Sequence, residues 1–486
     1  MEFVGLPRPR VLSIPLLLLT VALAGCAPQI RLAQPRIPLP ARFETTPVAR
    51  DSVALDQWWT AFADPQLSEL IDAALVRSTD ARTAYFRLSE ARAIRALRRS
   101  QRWPTGNLSG SAKSQEGHQF TGNDPLGQTA NATSQSLNFN PSWELDVFGR
   151  LAAIGREADA TYKAAHYDYH AARMALAADV GSALFEARSL AAQRADAAET
   201  LRIANELADT SALGLSHGLV AAADAARLQR DEAAAQAEIE RLDTALRNAK
   251  RSLLVLIGDA RAPTDSLVVE PRLAPPPDLP AAIPSLLLTR RPDILAAEQR
   301  LAAATQTVQI DRLALFPSVS LQGASNLTRT SALFGGTTGL WSIAGALSLP
   351  ILDRPRLMAQ LRISEARGQQ AVVSYEAAVQ AAFRDADNAL AAAAADRQRL
   401  GNLARAEERA RYAFGAARRG YRAGLTDLTT LLQSEQSWRQ ARSTLIAARA
   451  QALTGTIDVY RTLGGGWDAA AYPAPGDLLP HPPSSH

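Results

Sequence analysis

Apolar and polar residues alternate along residues 136–147. Leu137, Phe139, Trp143, Leu145 and Val147 hold odd positions, while Asn138, Asn140, Ser142, Glu144 and Asp146 hold even ones. Side chains of a strand point alternately to its two faces, so this period of two predicts a strand with one apolar face and one face of amides and carboxylates. Two settings need such a ribbon. One is a soluble antiparallel sheet solvated on one side. The other is a membrane barrel, with lipid outside and a watery lumen inside. The segment by itself leaves both open.

The rest of the chain is written twice. Residues 78–104 align without gaps on residues 291–317, with Asp80 on Asp293 and Pro104 on Pro317. Farther on, "LDVFGR" at 145–150 matches "LPILDR" at 349–354, and "SALGL" ending at Leu215 matches "YRAGL" ending at Leu425. Internal similarity in a fixed order means one structural unit used twice. We place the repeats at residues 56–262 and 263–465. Each reads as a helix closed by an aromatic-Pro pair, a strand, a polar Gly-rich turn, a second strand, a very long helix, a Gly break and another long helix. The strands fall at about 106–116 and 136–147 in the first repeat, and at 318–327 and 340–350 in the second. The last one sets Trp341, Ile343, Leu347 and Leu349 against Ser342, Ala344 and Ser348.

Residues 150–213 and 355–420 contain no Pro except Pro355, which stands where a first helical turn tolerates it. Runs of roughly 65 residues at about 1.5 Å each span about 95 Å. No globular core is that deep, so the helices must pack lengthwise in a bundle, coiled coil or cylinder, and their many Ala side chains permit close approach. Gly214 and Gly424 stand where each long helix should stop, because glycine ends a helix in the left-handed conformation at little cost. Two strands per repeat give four per chain. Four strands cannot close a barrel that satisfies every backbone group in lipid, so a membrane setting requires several copies around one barrel. Three copies give twelve strands, continued by twelve helical spans.

Composition changes this picture mainly at the N-terminus. Arg8 and Arg10 precede an apolar run from Val11 to Ala24, followed by "LAGC" ending at Cys26. Residues 1–25 read as an export signal, because a fourteen-residue apolar run is too short to cross about 30 Å of hydrocarbon as a helix. "LAGC" resembles the lipobox of bacterial lipoproteins, where the Cys is lipidated and the chain is cut just before it. Cys26 is the only cysteine. The lipid on Cys26 is then the one attached group expected, with no cofactor besides, and Ala27 suits delivery to the outer membrane. Residues 26–55 are expected to run extended from the anchor, and 466–486 to form a disordered tail. No other segment approaches eighteen uninterrupted apolar residues, so only strands could enter a bilayer.

Several chemistries are excluded. Lys and Arg number 52 against 48 Asp and Glu, and no basic run is interleaved with aromatics, so nucleic acid is not an expected partner. His166 and His170 share a helical face, but no third metal ligand is identifiable, so they read as a solvated or inter-helix face. "NATS" at Asn131 has the form of a glycosylation sequon, but beside a bacterial lipobox it reads as a polar turn. No nucleophile elbow, phosphate loop or Cys/His cluster supports an enzyme.

"DQWWTAFADPQLSELIDAAL", "IPSLLLTRRPDILAAEQRL", "LFPSVSL", "LSLPILDR" and the closing "RTLGGGW" together resemble the lipoprotein branch of the outer membrane efflux factors, the TolC or NodT family. The resemblance covers residues 51–467. It implies a mixed α+β homotrimeric channel, a twelve-stranded β-barrel in the outer membrane continued by a twelve-helix periplasmic α-barrel. Such a duct passively conducts small molecules in a tripartite efflux system, docking through a periplasmic adaptor to an inner-membrane transporter. The family's adaptor-contact tips fall here at Gly214, Leu215, Gly424 and Leu425. Its pore gate often has an Asp nine residues beyond the second tip Gly and a Leu one turn earlier. Here those positions are Gln433 and Thr429, and Asp427 is the remaining carboxylate nearby. A Gln ring closes through neutral hydrogen bonds where three carboxylates would repel and bind cations, so a gate less sensitive to divalent ions is expected. A periplasmic lipid-anchored coiled-coil adaptor or scaffold is the alternative. It accounts for lipidation and long helices but not for the duplicated strand-turn-strand.

Overall fold

A computed structural model describes residues 35–45, 55–121, 124–280, 283–331 and 336–468, without the side chains of 117–131. The expected signal, Cys26 and all but the first residues of the expected tail at 466–486 lie outside the described residues.

The described α-helices and strands fall into two successive sets of six. The first set is α1 (Pro65–Arg77), α2 (Thr79–Ser100), β1 (Thr105–Thr121), β2 (Asp124–Leu145), α3 (Arg150–Ser216) and α4 (Ala222–Leu256). The second is α5 (Pro284–Arg290), α6 (Pro292–Leu313), β3 (Ser318–Ser331), β4 (Gly336–Ser348), α7 (Arg354–Arg422) and α8 (Leu428–Thr462). Counterparts match in length: α3 has 67 residues and α7 has 69, while α4 and α8 have 35 each.

The strands differ from expectation at their ends. β1 reaches Thr121 and β2 begins at Asp124, so residues 117–135, expected as a polar turn, lie almost entirely in the ladder. Asn131 accordingly sits in β2 opposite Glu116 and not in a turn. The sequence "GHQFTGNDPLGQTANATSQ" carries polar groups at both parities, so no period of two betrays a strand there. β3 likewise runs on to Ser331, and β4 is shifted to Gly336–Ser348.

The four strands form one antiparallel sheet in the order β1-β2-β3-β4. Directly opposed residues share a face. The register therefore gathers Leu108, Leu137, Phe139, Trp143, Leu321, Leu327, Trp341, Ile343 and Leu347 on one side. Ser136, Asn138, Ser142, Glu144, Gln322, Asn326 and Thr328 collect on the other. There the side chains bond to one another: Asn326 donates to Asn138, Thr328 donates to Asn326 at 2.6 Å, and the Ser111 and Ser136 hydroxyls lie 2.9 Å apart. Pro141 interrupts β2 where it has no N–H to give, and Gly323 stands across from it. A Cβ at Gly323 would lie 2.8 Å from Pro141 Cγ, so proline and glycine occupy one another's space.

The chain divides into two compact units, each drawing on both repeats. One contains Glu90–Lys163 and Glu298–Ser374, and hence the whole sheet. The other contains Arg36–Ser89, Ala164–Ala297 and the chain from Tyr375 onward. The second unit holds the largest core. Trp58, fully buried, stacks on Tyr460 at 5.8 Å and meets Trp59 and Phe62 edge-on, with Leu67, Ile71, Leu184, Leu253 and Ile457 around them. Asp64 caps α1 by accepting from the Leu67 amide at 3.2 Å, and it also accepts from the Arg188 guanidinium. Burial alone would push this carboxyl up, but the Arg188 hydrogen bond and charge and the Leu67 amide hold it below its ordinary value. Of the expected extended segment, residues 35–45 form neither helix nor strand. They lie against α7: the Arg36 amide donates to Glu376 at 2.6 Å, Phe43 stacks on Phe383 at 5.6 Å, and the Glu44 amide donates to Asp387 at 3.0 Å.

Candidate functional site: hairpin tips, helix α8 and the two-faced sheet

Both long hairpins turn in the same way. The Leu219 amide donates to Gly214 O at 2.8 Å and the Gly218 amide to Leu215 O at 3.0 Å. In the second hairpin Leu425 donates to Gly420 at 2.8 Å and Gly424 to Tyr421 at 3.0 Å. These are Schellman ends, which require a left-handed residue, and Gly218 (φ 71°) and Gly424 (φ 73°) supply it.

The expectation that Gly214 ends the first long helix is thereby corrected. Gly214 does not end α3 but lies within its last turn, where a Cβ would come 2.6 Å from Val220 Cγ2. Its counterpart is Gly420, where a Cβ would come 2.9 Å from Thr426 Cγ2. The tip pairs are thus Gly218-Leu219 and Gly424-Leu425. Leu219 and Leu425 are each 82% exposed, whereas Leu215 is 41% exposed within α3. Gly-Leu occurs twice within "GLSHGL", so "SALGL" stands one helical turn before the true counterpart of "YRAGL". The longer spacing, Gly-x-x-x-Gly-Leu, is common to both hairpins and was the better signal.

The second tip leads into α8. Asp427 is its N-cap, accepting from the Thr430 amide at 2.7 Å, and its hydrogen bonds to Thr430 hold the carboxyl below its ordinary value. Thr429 and Gln433 follow one turn apart, both exposed, and Gln436 and Gln440 continue the exposed positions. The start of α8 is therefore polar and uncharged at these positions.

Farther along α8 lies a set of contacts that sequence reasoning missed. Arg442 pairs with Asp196 of α3 and covers the Trp438 ring at 4.7 Å. Trp438 stacks on Phe414 of α7 at 5.1 Å and donates to Glu407 at 3.0 Å. Beside it, Glu435 is buried with Arg439 at 3.7 Å. Burial pushes both Asp196 and Glu435 up, and the neighbouring Arg442 and Arg439 only partly offset it. The spacing of Glu435 to Arg439 and of Trp438 to Arg442, four residues each, was the visible hint.

His166 is buried and His170 stacks on Trp467 at 4.8 Å, so this pair packs between elements and is not a solvated face. Burial pushes both imidazoles down, His170 to about 3, and they are neutral at ordinary pH. Among the described residues no group of three His, Cys, Asp or Glu could hold a metal ion, and no helix is long and apolar enough to cross a membrane. The sheet carries an apolar surface, with Trp341 78%, Leu347 72% and Ile343 70% exposed on one face.

The chain matches the model of the outer membrane efflux protein family over residues 70–259 and 283–465. It is 30% identical to the cation efflux system protein CusC of Escherichia coli, over 92% of this chain and 97% of that protein. It is also 30% identical to the probable outer membrane lipoprotein SilC of Salmonella typhimurium, over 92% of this chain and 96% of that protein. Among solved structures, the outer-membrane channel OprN superposes with a TM-score of 0.76 at 30% identity, covering 91% of this chain and all of that one. With the duplicated elements, the two-faced sheet and the paired hairpins all in place, the chain belongs to the outer membrane efflux protein family and is an outer-membrane efflux channel protein with a periplasmic helical part.

Proposed function

We propose that three copies of this chain form one channel, in which β4 of each copy pairs with β1 of the next to close a twelve-stranded barrel continued by a twelve-helix periplasmic barrel. The sheet carries the argument. Among the described residues the outer edges of β1 and β4 have no strand partner, and the apolar face is open. In hydrocarbon each unpaired backbone group costs several kcal/mol, so both edges need another copy. The amide and hydroxyl face then lines the lumen. It offers water-like contacts, which suits a passive duct for small molecules. Energy enters at an inner-membrane transporter, reached through a periplasmic adaptor.

Residues 1–25 are the removed signal and Cys26 carries the lipid, a reading supported by the lipoprotein relative. Leu219 and Leu425, projecting from stiff glycine-ended turns, are the adaptor contacts. Thr429 and Gln433 form the gate, and Asp427 is engaged in capping α8. A neutral ring has little affinity for divalent ions, so single-channel conductance should change less than about twofold in millimolar calcium or magnesium. Block at micromolar concentrations would refute the neutral gate. The alternative of a lipid-anchored adaptor or scaffold is not favoured, since the relatives are outer-membrane efflux proteins.

Photo-crosslinkers placed at Leu219 and Leu425 in cells test the whole assembly. They should capture a periplasmic adaptor, while the same probe at Leu215 captures far less. Capture of no adaptor from either tip, or a purified chain that migrates as a water-soluble monomer, would defeat the proposal.

A further inference from the structure

We propose that a crevice between α2 and α3, beside the end of the sheet where strands meet helices, binds the phosphate of an anionic phospholipid. It measures about 680 Å³ and is lined by Arg99, Arg102, Trp103, Trp143, Arg156 and Asp159 around Gly155. Asp159 is already satisfied: it accepts from Arg95 at 2.6 Å and Arg99 at 2.8 Å. Burial would push its carboxyl up, yet the two arginines hold it below its ordinary value, so it stays ionised. Arg102 forms no ion pair among the described residues. Its guanidinium lies against Gly155, 3.5 Å from where a Cβ would stand. Among the described residues Arg156 donates only to the neutral Gln306 amide oxygen at 2.9 Å. Three arginines thus line the crevice beside one carboxylate that Arg95 also shares, which leaves a surplus of positive charge in planar forks suited to phosphate oxygens.

The flank is what selects a lipid. Trp143 lies on the apolar face of the sheet, opposite Leu321, and donates its indole N–H to Arg102 O at 2.9 Å. Trp103 is 73% exposed beside it. Tryptophan favours the level of the headgroups, where one end of the ring is dry and the other wet. At the same end of the sheet's polar face, Glu144 is neutralised by Arg150 at 2.6 Å, so the charge surplus belongs to the crevice. A phosphate on Arg102 and Arg156 would leave its acyl chains along the apolar face. This inference rests on the proposed placement of that face in lipid.

The test uses the full assembled protein and an Arg102→Gln/Arg156→Gln variant, each passed through phosphatidylcholine vesicles with or without phosphatidylglycerol. After extraction into detergent, retained lipid is counted by native mass spectrometry. Phosphatidylglycerol should stay on the wild type and fall at least fivefold in the variant, with phosphatidylcholine enriched on neither. Arg102→Gln alone, a change at an exposed residue without an ion pair, should lower retention in the same direction if the double variant does not assemble. Equal retention of the two lipids, no effect of either substitution, or displacement by millimolar inorganic phosphate would overturn the lipid site. Selective retention by a chain that forms no channel would instead refute the assembly and leave the site standing.

Discussion

Trp58 and Trp341 belong to one chain, yet the first is fully buried and the second is 78% exposed. Around Trp58 the protein finishes its own interior, with three further aromatic rings, Leu67, Ile71, Leu184, Leu253 and Ile457 closing on it from four segments of sequence. Around Trp341 it finishes nothing. Ile343 and Leu347 stand open on the same face, and the opposite face is a mesh of hydroxyls and amides. Both regions are rich in apolar side chains. What differs is the source of the covering surface, supplied by the chain in the helical unit and, in the proposed assembly, by lipid and other copies at the sheet.

Substitutions can separate the two. Trp58→Ala should have the largest effect, about 3–5 kcal/mol from lost contacts and an unfilled cavity. The midpoint of chemical unfolding, followed by helical circular dichroism, reads it directly. A midpoint within experimental error of wild type would mean that the aromatic cluster does not organise the helical unit.

Ile343→Arg comes next. On the lipid side of a barrel it should cost about 2–4 kcal/mol at the membrane midplane and less near an interface. Ser342→Arg, one residue away and on the other face, should cost far less. Urea titration of vesicle-inserted protein compares the pair, and equal costs would abolish the assignment of faces.

The smallest effect is the acid response of the helical unit. Asp64 has a lowered folded pKa, so its contribution is present above its ordinary value of 3.8 and is lost as pH falls through the lowered one. Asp196 and Glu435 have raised values, so their contributions are full below the ordinary range and are lost as pH rises through the raised ones. Arg188→Met should therefore remove the acid-side loss, measured as a flatter thermal midpoint below about pH 4. An unchanged acid limb would assign that loss to other carboxylates.

Much of this arrangement was legible in the sequence, for reasons that also explain what was not. Residues 136–147 announced their strand because Phe139 and Trp143 alternate with Asn140 and Glu144. Residues 117–135 did not, because a strand polar on both sides has no period to detect. The duplication located both hairpins, but a repeated Gly-Leu shifted the first tip by one turn, onto Leu215 instead of Leu219. The pair Asp196 and Arg442 joins residues far apart in sequence, and neither residue's neighbours identify the other. Cys26, the clearest single signal in the sequence, lies outside the described residues.

The seam between β2 and β3 joins strands from different repeats, with everything from α3 to α6 intervening in the chain. Each hairpin can pair as soon as it is made, but the seam must wait for the second half to arrive and for a long loop to close. Biogenesis therefore has a vulnerable interval. A polypeptide halted before Ser318 would carry the bare margin of β2, a template for indiscriminate strand addition in the compartment it is crossing.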